Sequence, residues 1–255
     1  MRGRETKVNE VNGVNDVNEV RGRTDRREFL LRGAVIGASS LLAACGWSGG
    51  PFAGKLRTFS RFNDRVSGLL FSSRLAREYP VAQRTPDANF PSYYVSDGTP
   101  MLMDAAKWRL DVGGLVRRPG VFTIEQLRAL PRLTYTVKHH CVEGWTAIAS
   151  WSGARFSALA ERVEPLPGAR YVNFRSFDSG YSNGWDIASA MHPQTILAYA
   201  HNDRPLAADH GAPLRLYSPT KLGYKLTKYL LAIEFTAERP GGYWEDQGYP
   251  WFGGL

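Results

Sequence analysis

Lys138-His139-His140-Cys141-Val142-Glu143-Gly144-Trp145, followed by Trp151-Ser152-Gly153, is the stretch on which the reading of this chain turns. Leu133 to Cys141 has the β-branched, alternating character of a strand, and Gly144 marks a turn just after it. Cys141 therefore stands where a strand ends. One role for it there is a nucleophile, which needs a histidine base. Neighbouring strand residues face opposite ways, so His140 is badly placed for that. His139 shares the face but lies about 7 Å along the strand. A second role is a zinc ligand with His139 and one of His192, His201 or His210, although the paired close spacings of a structural zinc site are absent. A third is a single soft thiolate on a redox metal held mainly by another group. A buried, inert cysteine is the remaining possibility.

Outward from this segment, short strands and short helices follow one another. Trp108–Val116 alternates as a strand and ends at the Pro119-Gly120 turn. Thr123–Leu130 opens on a capping threonine, has helical spacing and stops before Pro131. Phe156–Val163 reads as a helix, Tyr171–Phe177 as a strand and Asp186–Met191 as a short helix stopped by Pro193. Thr195–Ala200, Pro213–Tyr217 and Leu230–Phe235 read as strands. Strands outnumber helices without βαβ regularity, so the expected class is α+β with mixed β-sheets and short helices. No Gly-x-Gly-x-x-Gly and no Gly-Lys-Ser/Thr phosphate loop occurs, which removes support for nicotinamide and nucleoside-triphosphate chemistry.

The first 44 residues read as an address. Residues 1–23 are polar, with Val-Asn recurring every three positions from Val8, and read as a disordered leader. Thr24-Asp25-Arg26-Arg27-Glu28-Phe29-Leu30 resembles a twin-arginine export signal. Gly33–Ala44 is apolar and small but only 12 residues long, the length of a signal peptide rather than a span. Leu42-Ala43-Ala44-Cys45-Gly46 resembles a lipobox, which makes Cys45 the expected lipid anchor. Residues 45–60 read as a tether and 61–255 as the functional domain. The chain of 255 residues has two cysteines and a net charge of +8. With Cys45 lipidated, Cys141 lacks a disulfide partner in its own chain. Charge alone would suggest nucleic acid, but export argues against it.

His140–Trp145 with Trp151-Ser152-Gly153 resembles the molybdenum-ligand segment of the sulfite oxidase superfamily of molybdopterin enzymes, nearest the exported single-domain bacterial members. Three further segments match in order: His210–Leu216, Lys221–Lys228, and the tail Arg239–Glu245 with Gly248–Gly254. The resemblance runs from about residue 57 to the end. It implies a sulfite-oxidase-type fold and a molybdenum–molybdopterin cofactor, with Cys141 as the metal's thiolate. It also implies oxygen-atom transfer to or from a small sulfur or nitrogen oxide. Reduction of an S-oxide such as methionine sulfoxide is the leading expectation, with sulfite oxidation and a cofactor-free binding lipoprotein as alternatives.

The same resemblance assigns residues. Glu143 would steer water or a proton at the metal. Arg215, Lys221, Lys225 and Lys228 would face the pterin phosphate, and Gly223, Tyr224 and Thr227 belong to the same segment. Asn63 matches an amide beside the metal, and Ser176 would donate to the pterin. His210 stands where the reductase branch has Asn, which favours the sulfite oxidases proper. His139, His192 and His201 are expected to be structural. Neither a haem-attachment motif nor iron–sulfur spacing is present, so electrons are expected from a separate partner such as a haem-bearing membrane protein.

Overall fold

The computed structural model describes residues 62–64, 66–71, 73–93, 95, 100, 106–178 and 180–255. The leader, the Arg26-Arg27 signal, Cys45 and the tether all lie outside the described residues. Among those described, no helix is long and apolar enough to cross a membrane.

Two sheets carry the fold. One has the order β2-β1-β10-β5-β6: Gly120–Phe122, Leu110–Gly114, Leu230–Thr236, Tyr171–Ser176 and Ser182–Asp186. β1 runs parallel to β10, and the other pairs in this sheet are antiparallel. The second sheet is antiparallel, in the order β3 (Arg132–His140), β4 (Thr146–Arg155), β7 (Ile196–His201) and β8 (Arg204–Pro205), with β9 (Arg215–Tyr217) also on β7. The mixed α+β architecture matches the expectation from sequence.

The helices are short because their sequences stop them. α1 (Ile124–Arg128) begins on a complete capping box, in which the Thr123 hydroxyl accepts from Gln126 N–H and the Gln126 side chain accepts from Thr123 N–H. α2 (Phe156–Val163) buries Phe156, Leu159, Ala160 and Val163, one helical stripe, and ends at Glu164 with φ 52°. Phe156 packs edge-on to Phe174 of β5 and near Phe235 of β10, which ties the helix to the first sheet. α3 (Ile187–Ala190) is capped by Asp186.

Four strands escaped the sequence reading: the short β2 and β8, and the longer β4 and β6. β4 is rich in alanine and serine, yet β3 and β7 cover both its edges. Gly153 has no room for a side chain there: a Cβ would sit 2.2 Å from the Leu197 carbonyl oxygen. β6 contains Asn183 and Gly184, residues that strands usually avoid. Gly184 is required because Pro240 of the tail packs against it. The β3–β4 hairpin carries Cys141 in its loop. There Cys141 N–H donates to Trp145 O at 3.0 Å, Gly144 N–H donates to Cys141 O, and Gly144 takes φ 91°. A glycine at that φ lets the loop turn sharply.

Candidate active site

A cavity of about 260 Å³ opens beside this hairpin loop. Of the residues expected at the site, Cys141, Glu143, Ser176, His210, Arg215, Gly223, Tyr224 and Lys228 line it. Segments as much as 87 positions apart thus meet at one place. Burial, and secondarily the Glu143 charge, push the Cys141 thiol up, so without metal it stays protonated at neutral pH. Glu143 is exposed at the mouth, where it accepts a 3.2 Å bond from Trp145 Nε1. The Tyr93 hydroxyl also bonds Glu143, which raises the Tyr93 pKa.

The inner wall is cationic. Arg215 is 3% exposed. Its guanidinium donates to His210 O at 3.1 Å and Leu226 O at 3.2 Å, and lies 4.8 Å from the Trp151 ring centre. The segment His210–Arg215 therefore closes on itself. Arg215 Nε is buried without a partner, and among the described residues no carboxylate pairs with this charge. Burial pulls the Arg215 pKa down to about 10. Lys228 Nζ donates to Ser92 Oγ and to the Tyr93 and Asp209 carbonyls, and burial pulls it to about 7. The Arg215 charge, buried with no carboxylate paired to it among the described residues, is costly, and an anion placed beside it removes that cost.

Other expected contacts lie elsewhere. Lys221 and Lys225 were read as charges facing a phosphate, but neither lines the cavity. Lys221 donates to Phe252 O at 2.6 Å, sits 3.4 Å from that ring's centre and is 3.7 Å from Asp186. Lys225 donates to Gly184 O and pairs with Glu245. Both ammonium groups fasten the C-terminal tail, because the tail supplies the acceptors that their burial demands. Thr227 is buried outside the lining with Oγ1 unpartnered. Asn63 is exposed in a helical stretch and does not reach the cavity wall. The Ser176 hydroxyl already accepts from Asp178 N–H at 2.9 Å. Gly223 does permit a close approach, but to the His139 ring, whose Nε2 would lie 3.1 Å from a Cβ.

The structure also adds residues. His139, Asp178, Tyr181 and Tyr229 line the cavity, as do Phe90, Trp145 and Tyr249, beside Trp244, which the sequence already suggested for the site entrance. His139 carries an unpartnered buried Nδ1 and stacks near Tyr217. Its place on the Cys141 face of β3 was the available signal. Among the described residues, no three His, Cys, Asp or Glu side chains converge as a metal cage.

A model of the oxidoreductase molybdopterin-binding domain matches residues 97–244. The chain belongs to that family. This molybdopterin-binding domain is 43% identical over 231 residues to "Putative protein-methionine-sulfoxide reductase subunit YedZ1" of Azospira oryzae, covering 90% of this chain and 87% of the relative. It is 35% identical to an uncharacterized oxidoreductase of Bacillus subtilis (64% of this chain, 84% of the relative). It is 30% identical to a protein-methionine-sulfoxide reductase catalytic subunit of Campylobacter jejuni (54% and 52%). The sulfane dehydrogenase SoxCD of Paracoccus pantotrophus shares its fold, with TM-score 0.53 and 23% identity over 56% of this chain and 41% of that one. The protein is thus a molybdopterin oxidoreductase of sulfite-oxidase-type fold, and its cofactor is molybdenum on molybdopterin. The residues present fit that group. A lone thiol stands on the cavity wall, and beside it a buried guanidinium without a carboxylate partner among the described residues is suited to an anionic phosphate.

The buried histidines give a pH prediction for the cofactor-free protein. Burial, then the neighbouring His210, pushes His201 down to about 4 despite the opposing pull of Asp87. An unfolded chain protonates this ring near 6.5. Between those values the unfolded state takes up a proton that the folded state refuses. Stability is therefore full above pH 6.5 and falls as pH drops toward 4, by on the order of a few kcal/mol. Melting curves from pH 7 to 4 check this, and His201→Gln should flatten the slope.

Proposed function

We propose that this chain is an exported enzyme that reduces an S-oxide of the methionine sulfoxide type. The observation carrying the reading is one cavity in which a lone thiol, a buried uncompensated cation and an aromatic mouth meet. The relative at 43% identity, with its sulfoxide reductase name, supports it. When bound, the molybdenum–pterin group supplies two-electron oxygen-atom transfer. Cys141 would hold the metal, Arg215 and Lys228 would meet the pterin phosphate, and His210 and Tyr224 would flank it. Trp145, Trp244 and Tyr249 would receive the apolar part of the substrate, and Glu143 would hold a proton or water at the mouth. The balance is R2S=O plus two electrons and two protons giving R2S and water.

Arg26-Arg27 and Cys45 support twin-arginine export and lipid anchoring on the outer face of the membrane. The tether then keeps the domain beside a membrane-bound, haem-bearing electron donor. His210 on the cavity wall favours a second reading, oxidation of sulfite. Turnover assays separate the two. Reduced viologen with methionine sulfoxide should be consumed at a rate at least tenfold above that of sulfite-driven ferricyanide reduction. The opposite ranking would overturn the S-oxide reading.

A further inference from the structure

The reaction proposed above takes up two protons, and one buried histidine stands between its cavity and an exposed carboxylate. His201, the last residue of β7, is 4% exposed, and its Nε2 is buried with no hydrogen-bond partner. Its ring centre lies 4.8 Å from that of His210, which lines the cavity. On the other side, His201 Nδ1 is 3.8 Å from Asp87 Oδ1, and the Asp87 side chain is 45% exposed. Cavity, His210, His201, Asp87 and solvent follow in that order; neither step is a direct hydrogen bond, and one bridging water would close each gap.

Asp87 is held there by a built turn. Asn202 and Asp203 take φ 46° and 65° between β7 and β8, a backbone form that Asn and Asp tolerate. Asn202 Nδ2 donates to Asp87 Oδ1 at 2.6 Å, while Asn202 Oδ1 accepts from Ser150 N–H. Arg204 lies 3.9 Å from the other carboxylate oxygen. Phe90 and Trp151 pack on the His201 ring, with centres at 4.9 and 4.6 Å.

We infer that His201, coupled to Asp87 and His210, is a proton path between solvent and the inner end of the reaction cavity, separate from Glu143 at its mouth. This rests on the redox reading above. Per turnover, two protons enter at Asp87; each is accepted on one ring nitrogen of His201 as the other nitrogen releases its own toward His210, and the ring turns back to its starting tautomer between the two. A one-electron donor supplies the two electrons, and the S-oxide oxygen leaves as water. His201 touches no reacting atom, so it is a positioning residue for protons. The charged and titratable groups facing it are Asp87 from the turn after Pro86, His210, Arg215 of β9, Arg84 and, more weakly, His139.

The test uses enzyme purified from molybdenum-replete cells, as wild type, His201→Gln and Asp87→Asn. Molybdenum content should be equal in all three. With methionine sulfoxide and reduced viologen, kcat of His201→Gln should fall about tenfold or more, with KM little changed. The loss should deepen above neutral pH, the solvent deuterium effect should grow, and added imidazole should restore part of the rate. By NMR without turnover, His201 should titrate near 4 and lower still in Asp87→Asn. Wild-type kcat, pH profile and isotope effect in His201→Gln at equal molybdenum would overturn the path. So would a His201 titration blind to Asp87→Asn. If wild type ignores S-oxides and oxidises sulfite, the substrate reading fails. The path is then judged by the same variants, with protons leaving.

Discussion

Cys141→Ser should abolish oxygen-atom transfer and leave a folded protein. The thiol is only partly buried, in a hairpin loop held by backbone bonds to Trp145 and Gly144. Serine satisfies those bonds equally, and the register of β3 with β4 is untouched. The loss lies in ligand chemistry. A thiolate is soft and stays on a metal that changes oxidation state, whereas a hydroxyl is hard and resists deprotonation. Burial and Glu143 already push the thiol up, so it is the bound metal that must displace its proton, and serine, with a far higher pKa, gives that up much less readily. Removing an outer-shell partner of a metal site costs roughly 10–100-fold. Removing the thiolate itself should cost more than about 100-fold in viologen-linked turnover. Circular dichroism and melting should match wild type. Turnover within tenfold of wild type would end the ligand assignment.

Much of the fold could be read from local pattern, and the failures have physical causes. α2 was legible to the residue because its buried positions repeat at helical spacing. β4 was not. Its serines, alanines and glycine are chosen for close packing between two neighbours, a tertiary demand that no local window contains. The site divides likewise. Cys141, Glu143, His210 and Arg215 fell within recognisable segments and do meet at one cavity. Lys221 and Lys225 lie in a matching segment too, but their ammonium groups turn to the tail, where Phe252 O and Glu245 await them. His201 was read from the sequence as structural. Its significance comes from a turn that brings Asp87 from 114 positions away in the chain.

Arg215→Met should separate cofactor binding from folding, and in an unusual direction. The guanidinium is buried with two carbonyl bonds, one unpartnered nitrogen and no paired carboxylate among the described residues. In the cofactor-free protein that charge is a burden. An apolar side chain of similar volume against Trp151 and Tyr217 removes it, although it leaves the His210 and Leu226 carbonyls to be satisfied otherwise. The cofactor-free variant should therefore melt at or above the wild-type temperature. In the loaded enzyme the balance reverses. Losing one partner of a buried charge-assisted contact costs about 2–5 kcal/mol, a roughly 30- to several-thousand-fold weaker hold on the phosphate. Pterin and molybdenum content after dialysis should fall accordingly. Arg215→Lys should recover only a fraction, because a point charge cannot reproduce two forked bonds and a stacked plane. A cofactor-free Arg215→Met protein that melts far below wild type while the loaded form keeps full molybdenum would make Arg215 a structural residue. The cationic wall would then have no claim on the pterin phosphate.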